Sequence, residues 1–160
     1  MSRRESGAVR IHSEACDIQD VVGSALEQLG ARLENRPVAV DIPAEFPLVS
    51  LDFVLISRVL VNVIDNAVKY SPSGSPIEIS AQAANGYAEV TVADHGMGIP
   101  SEDLTHIFDK FYRVQRPNNV TGTGLGLSIS QGIIQVHGGF IAAENRPEGG
   151  TAITLGLPLK

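Results

Sequence analysis

The run Leu60-Val61-Asn62-Val63-Ile64-Asp65-Asn66-Ala67-Val68-Lys69-Tyr70 holds the first residues whose types and spacing suit chemistry. At 3.6 residues per turn it places Asn62, Asn66, Lys69 and Tyr70 on one helical stripe and turns Ile56, Leu60, Val63 and Ala67 to the opposite, core-facing side. A carboxamide oxygen is a hard, neutral ligand that can hold Mg²⁺ beside phosphates, and a lysine one turn on adds a point charge for the same phosphates. The pattern therefore suits a metal-bound nucleotide. A polar helix face whose asparagines bond water or cap backbone fits it as well. Asparagine is a poor residue for a helix centre, which tilts the balance toward use.

Asp94-His95-Gly96-Met97-Gly98-Ile99 follows an expected strand. Its glycines allow positive φ and close backbone approach, and a carboxylate leaving a strand end can accept a hydrogen bond from an exocyclic amine such as that of adenine. Alone, this motif reads equally as an ordinary exit from a strand into a turn. Gly122-Thr123-Gly124-Leu125-Gly126-Leu127-Ser128 opens an expected helix. Glycine-rich backbone there would offer unpaired N–H groups and the positive dipole end to an anion, which is a phosphate-binding arrangement, although a plain hinge would also be glycine-rich. It is neither a P-loop nor a Rossmann fingerprint.

The elements that must carry these residues follow from periodicity and breakers. Apolar residues at three- and four-residue steps predict a helix over 17–36 behind an Asp17 cap, and Asp52 caps a second helix reaching Tyr70. Strands are expected over 38–42, 77–79, 89–92, 140–143 and 151–157, with a hairpin turn at Asn85-Gly86. A short helical piece is expected over 104–111 and a helix over 124–136. Residues 113–121, nearly devoid of large apolar side chains, read as a functional connection. The fold class is α/β: a two-layer sandwich of a mixed sheet with helices on one face.

Composition fits one soluble globular domain over residues 1–160, since 43% of the 160 residues are hydrophobic and 19% charged. With 12 basic and 18 acidic residues the net charge is −6, which leaves no general attraction for nucleic acid. No apolar run is long enough to cross a bilayer, and Met1-Ser2-Arg3-Arg4-Glu5 opens no signal sequence, so a cytoplasmic location is expected. The single Cys16 suits packing better than nucleophilic work.

Taken in order, Asn66-Ala67-Val68-Lys69-Tyr70, Asp94-His95-Gly96-Met97-Gly98-Ile99, Ile107-Phe108-Asp109-Lys110-Phe111-Tyr112-Arg113 and Gly122-Thr123-Gly124-Leu125-Gly126-Leu127 resemble the N box, first glycine box, F box and second glycine box of bacterial sensor histidine kinases. Gly149-Gly150-Thr151 resembles that family's C-terminal glycine turn. Phe108-Asp109-Lys110-Phe111 and Asn145-Arg146-Pro147-Glu148-Gly149-Gly150 are similar to the potassium-sensing Kdp type. The resemblance covers nearly the whole chain. It implies the ATP-binding catalytic domain of such a kinase, with residues 1–16 as linker from dimerisation helices, ATP and Mg as cofactors, and γ-phosphoryl transfer to a histidine on a separate dimerisation domain.

In that reading Asn66 holds Mg²⁺ with Asn62 assisting, Lys69 approaches the phosphates, Tyr70 packs near adenine and Asp94 selects the adenine amino group. Arg113 reaches the γ-phosphate, and Gly122, Gly124 and Gly126 cradle the phosphates, with Gly96, Gly98, Ile99, Phe108, Thr123, Leu125, Leu127 and Thr151 as further nucleotide-binding positions. Residues 97–121 form an ATP lid anchored by Phe108 and Phe111, for which core packing is the competing role. The acceptor context of the family is absent around His12, His95, His106 and His137; His137, ahead of Gly138-Gly139, suits a helix end as a cation. The implied partners are the histidine-bearing dimerisation domain and a response regulator, with the fragment itself monomeric and its parent a membrane-associated sensor. Two other classes compete: ATP-hydrolysing relatives of the same fold, which need a glutamate where Asn62 stands, and a non-catalytic nucleotide-gated module.

Overall fold

The computed structural model describes residues 11–99, 101–104, 106–109 and 126–159. Helix α1 (Ile18–Leu29) starts where the Asp17 carboxylate accepts from the Gln19 amide at 2.9 Å, and it buries Ile18, Val21, Val22, Ala25 and Leu29. The sequence suggests a longer helix, but Gly30 adopts φ +45° and the chain tightens into a 3₁₀ turn over Gly30–Leu33. Glycine takes that conformation without the Cβ penalty, and it stops the helix although apolar spacing continues to Leu33.

Helix α2 (Phe53–Lys69) is the central helix of its layer, packed between α1 and α4 (Gly126–Val136). That position explains why Ser57, Val59 and Ile64 are buried together with the expected Ile56, Leu60, Val63 and Ala67. A helix with neighbours on both sides and a sheet beneath cannot keep a single narrow apolar stripe.

The helices lie on one face of a five-stranded sheet ordered β2 (Val38–Asp41), β4 (Ile77–Ala84), β5 (Tyr87–Ala93), β7 (Thr151–Pro158) and β6 (Phe140–Asn145). The β2–β4 pair is parallel and the other pairs are antiparallel, so the sheet is mixed, as expected. Ile77, Ile79, Ala88, Val90, Val92, Leu155 and Leu157 form the inward face of the core. On the other face, Thr91 and Thr154 pair their hydroxyls at 3.0 Å and Gln82 donates to Glu89 at 3.0 Å. The β4–β5 hairpin closes through Asn85 and Gly86 with φ +57° and +83°, the paired left-handed turn that this dipeptide favours.

Two features differ from the sequence expectation. Glu14–Cys16 (β1) and Val49–Leu51 (β3) form a separate antiparallel pair, with Cys16, Val49 and Leu51 buried. The short helix α3 occupies Ser101–Leu104, and the residues after it, 106–109, form a turn rather than the helical piece expected over 104–111. Residues 110 and 111 lie outside the described residues, as do Arg113, Gly122, Thr123, Gly124 and Leu125 and the rest of the connection over 113–121. Among the described residues, no helix is long and apolar enough to cross a membrane.

Candidate functional site

The stripe of α2 is useful only if both ends of that helix are fixed. At the N-terminus, Asp52 accepts the Leu55 amide at 3.1 Å as a cap, and its second oxygen accepts the His12 amide at 2.8 Å. These amide donors, His12 first, hold the Asp52 carboxyl below its ordinary value against the opposing effect of burial. The Asp52 amide in turn donates to Nε2 of His137 at 3.0 Å, and His137 Nδ1 donates to the Ile133 carbonyl at 2.8 Å. His137 therefore joins α4 to the start of α2 through both of its ring nitrogens, a structural role at the helix end.

At the C-terminus of α2, Arg36 closes the helix. Its guanidinium donates to the Val68, Ser71 and Ser75 carbonyls at 2.9, 3.2 and 3.1 Å, and to the Ser71 hydroxyl at 2.9 Å. The Ser71 hydroxyl donates to the Ala67 carbonyl at 2.6 Å. The last turn, which carries Asn66, Lys69 and Tyr70, thus has its Asn66, Ala67 and Val68 carbonyls bonded, the first by the Tyr70 amide. Lys69 is exposed and pairs with Asp65 at 3.4 Å, and Asp65 is shared with Arg32 at 3.3 Å.

Facing α2, the chain leaves β5 into the loop that starts at Asp94. Asp94 is 5% exposed. Its Oδ1 accepts the Gly96 amide at 2.9 Å and the Thr151 amide at 3.1 Å, so the carboxylate is fixed by backbone donors from its own loop and from β7. Gly96 must be glycine, because a Cβ there would run into the Tyr70 carbonyl at the end of α2. Gly150, at φ +94°, passes equally close to the Asp94 carbonyl. The loop, the end of α2 and the β6–β7 turn are packed backbone to backbone.

Between them lies a small cleft lined by residues of all three. Helix α2 contributes Val63, Asn66, Ala67 and Tyr70, and β5 contributes Val92. Asp94 and Ile99 come from the loop, and Thr151 and Ile153 from β7. Apolar walls around one buried, backbone-anchored carboxylate suit a flat heteroaromatic ring bearing an amine.

Of the residues singled out from the sequence, Asn66, Tyr70, Asp94, Ile99 and Thr151 meet in this cleft, and Gly96 and Gly98 shape its loop. Val63 and Ala67 line it too, so the apolar side of α2 adjoins the polar stripe at the cleft instead of opposing it. Asn62 lies one turn away and donates to Ser130 of α4 at 3.4 Å. Phe108 is half-buried against the core, in keeping with the packing role. Gly126 is the first residue of α4, and Leu127 packs on the core beside it. Cys16 is buried, and burial followed by the nearby carboxylates of Glu14, Asp20 and Asp52 pushes its thiol up, which disfavours the reactive thiolate.

Sequence reasoning gave Arg36 no role, and it read Asn145 and Arg146 only as part of a subtype resemblance, whereas the structure places all three on backbone around the cleft. Asn145 accepts the Ile99 amide at 2.8 Å and donates to the Ile99 carbonyl at 2.7 Å. Arg146 donates to the Asp94 carbonyl at 2.8 Å. For Asn145 and Arg146 the signal was the Asn145-Arg146-Pro147 segment after a strand, which sequence alone assigns to a turn.

The comparisons with known proteins agree with this geometry. A family model described as histidine kinase-, DNA gyrase B-, and HSP90-like ATPase matches residues 52–160, more than half of the chain. The chain belongs to this ATPase family. It is 40% identical over 158 residues to the sensor protein KdpD of Escherichia coli K12, covering 99% of this chain and 18% of that protein. It is 34% identical to the adaptive-response sensory kinase SasA of Synechocystis, covering 99% of this chain and 42% of that one. The chain thus spans less than half the length of each of these relatives. Among solved structures, the mycobacterial sensor histidine kinase MprB superposes with TM-score 0.79 at 31% identity, covering 92% of this chain and 97% of that one. A nucleotide-free catalytic domain of histidine kinase ThkA gives TM-score 0.81 at 26% identity, covering 92% and 98%. The ATPase-family fold here is that of histidine kinase catalytic domains, as the order of the motifs implies.

Proposed function

We propose that this ATPase-family domain binds ATP with Mg²⁺ and donates the γ-phosphoryl group to a histidine imidazole on a separate dimerisation domain. The observation that carries the reading is the cleft in which Asp94, locked by the Gly96 and Thr151 amides, faces apolar walls from α2 and β7. A carboxylate accepts but does not donate, so it favours the amino group of adenine over the carbonyl of guanine. Val63, Ala67, Ile99 and Ile153 exclude water from the ring faces.

The phosphate side follows the same logic. Asn66, half-buried on the edge of the cleft, supplies an amide oxygen of the hard, neutral kind that Mg²⁺ accepts while keeping water and phosphate ligands. Held there by Asn66, the ion would supply charge neutralisation for the phosphates. Asn62 assists from one turn away, and Lys69 swings from Asp65 to the phosphates. Gly122, Gly124 and Gly126 would cradle the phosphates, and Arg113 would reach the γ-phosphate. The residues over 97–121 act as a lid. No general base within this domain is required, since phosphoryl transfer depends mostly on positioning and charge neutralisation.

Hydrolysis to water is the competing activity within the family. It calls for a base one helical turn before Asn66, where this chain has Asn62 donating to Ser130. The partners proposed are a histidine-bearing dimerisation domain and, downstream, a response regulator, in a membrane-associated parent sensor. Incubation of the domain with γ-labelled ATP, with and without a separately prepared histidine-bearing dimerisation domain, tests the reading. Acid-labile label on the added domain and none on this chain is expected. Steady release of phosphate without acceptor would favour hydrolysis, and labelling of His12, His95, His106 or His137 would overturn the proposal.

A further inference from the structure

We infer that Asn145 and Arg146 are positioning residues of the nucleotide cleft, setting the distance between Asp94 and Ile99 and through it the affinity and base selectivity of the site. The inference rests on the nucleotide reading above and extends it to residues at the end of β6 that do not line the cleft. Asp94 and Ile99 are the two ends of the loop that forms one wall, and both are buried. Between them the chain contains Gly96 and Gly98, the latter at φ +83°, so the loop has little intrinsic stiffness. Something outside it must hold its ends.

Adjacent residues of β6 and its turn do so. The Asn145 carboxamide pairs with the peptide at Ile99, accepting its N–H at 2.8 Å and donating to its C=O at 2.7 Å. This imitates the pairing of one more strand against the loop. The arrangement needs a planar group with a donor at one end and an acceptor at the other, which a carboxylate or an apolar side chain does not offer. It also explains Gly98: a Cβ there would come 2.9 Å from Asn145 Oδ1. At the other end Arg146 donates to the Asp94 carbonyl at 2.8 Å, its side chain only 13% exposed.

The guanidinium is itself held. Glu148 lies 3.3 Å away and Glu78 3.8 Å away, the Gly149 carbonyl accepts at 3.4 Å, and the His95 ring nitrogens approach at 3.3 and 3.4 Å. His95 also contacts Glu78 at 3.2 Å. The Arg146 amide donates to the Gly150 carbonyl at 2.8 Å, closing the turn that delivers the Thr151 amide to Asp94. A turn built only for its own stability would need the Gly150 closure alone. Here two consecutive side chains reach out of it to both ends of the nucleotide loop.

The test is calorimetric titration of the domain and of Asn145→Ala, Arg146→Ala and Arg146→Lys with ADP and GDP, alongside thermal melts and amide exchange at Ile99. Loss of the two Asn145 hydrogen bonds to Ile99, or of the Arg146 bond to the Asp94 carbonyl, predicts ADP binding weaker by about tenfold or more in the alanine variant. A smaller ADP-over-GDP preference and faster Ile99 exchange in Asn145→Ala are expected too. Arg146→Lys keeps one donor for the Asp94 carbonyl and should recover most of the affinity, a rescue that general destabilisation would not produce. If Asn145→Ala does not fold, the Arg146 pair carries the same test. Wild-type binding with unchanged affinity and preference in the folded alanine variants overturns this inference alone. Failure of the wild-type domain to bind either nucleotide overturns the reading on which it rests.

Discussion

At the scale of single residues, the two buried aspartates behave differently because of what faces them. Asp94 takes two backbone amides on one oxygen beside the cleft, whereas Asp52 spends an amide on each oxygen, one from Leu55 and one from His12. The Asp52 arrangement is structural, and its pH dependence follows from its sign. Its folded-state value lies below the ordinary 3.8, so the ionised form is the one folding prefers. Its contribution is present above about pH 4 and is lost as pH falls through the folded-state value. Asp52→Asn retains a cap oxygen but not the titration. Urea melts from pH 6 to pH 2.5 should therefore show a shallower acid limb for Asp52→Asn than for wild type. Parallel acid limbs would mean that the His12 and Leu55 amides do not bias Asp52. Asp52→Ala should cost about 1–2 kcal/mol at neutral pH, the value of a helix cap.

At the scale of elements, what could be read from the sequence divides by length and by range. Asp17 and Asp52 as caps, the Asn85-Gly86 hairpin and the long strands are local patterns that needed no tertiary information. The strands Glu14–Cys16 and Val49–Leu51 are too short for periodicity to mark, and they exist because Cys16, Val49 and Leu51 find a common core. Asn66 and Asp94 were legible as candidates from motifs that suit chemistry, and Tyr70, Ile99 and Thr151 joined them as a set through the resemblance of the ordered motifs to the sensor-kinase boxes. Asn145, Arg146 and Arg36 were not, because their function is to bond distant backbone, which no spacing announces. The same long-range logic makes Gly96 a sharp test of how elements meet. A methyl there collides with the Tyr70 carbonyl, so Gly96→Ala must push the loop away from α2 or unwind the last turn of the helix. The expected loss is on the order of 1–3 kcal/mol of stability by urea melts, as for overpacking of a close contact. Nucleotide affinity should fall with it. A variant as stable as wild type would show that this approach is looser than drawn.

At the scale of the whole molecule, the cleft is formed by elements distant in sequence: α2 on one side, the loop after β5 on the other, and the start of β7 beneath. A ligand seated there contacts all of them at once, and it binds the folded chain but not the unfolded one. Stabilisation then follows by mass action, about 2.7 kcal/mol at a free ligand concentration one hundred times its dissociation constant. For a domain of this size each kcal/mol moves the midpoint by roughly 2–4 °C, so the melting temperature should rise on the order of 5–10 °C with saturating ADP and keep rising logarithmically with concentration. Asp94→Asn separates this effect from nonspecific stabilisation. The amide can present an N–H₂ where the carboxylate accepted the Gly96 and Thr151 amides or an adenine amine, a mispairing that costs about 1–3 kcal/mol. In that variant the dependence of melting temperature on ADP should shift to concentrations about ten- to a hundredfold higher, while GDP, which lacks the matching amine, shifts little. Scanning fluorimetry across ADP and GDP series for both proteins decides the matter. Coincident ADP curves for wild type and Asp94→Asn would remove Asp94 from base recognition and leave the apolar walls of α2 and β7 as the source of any binding.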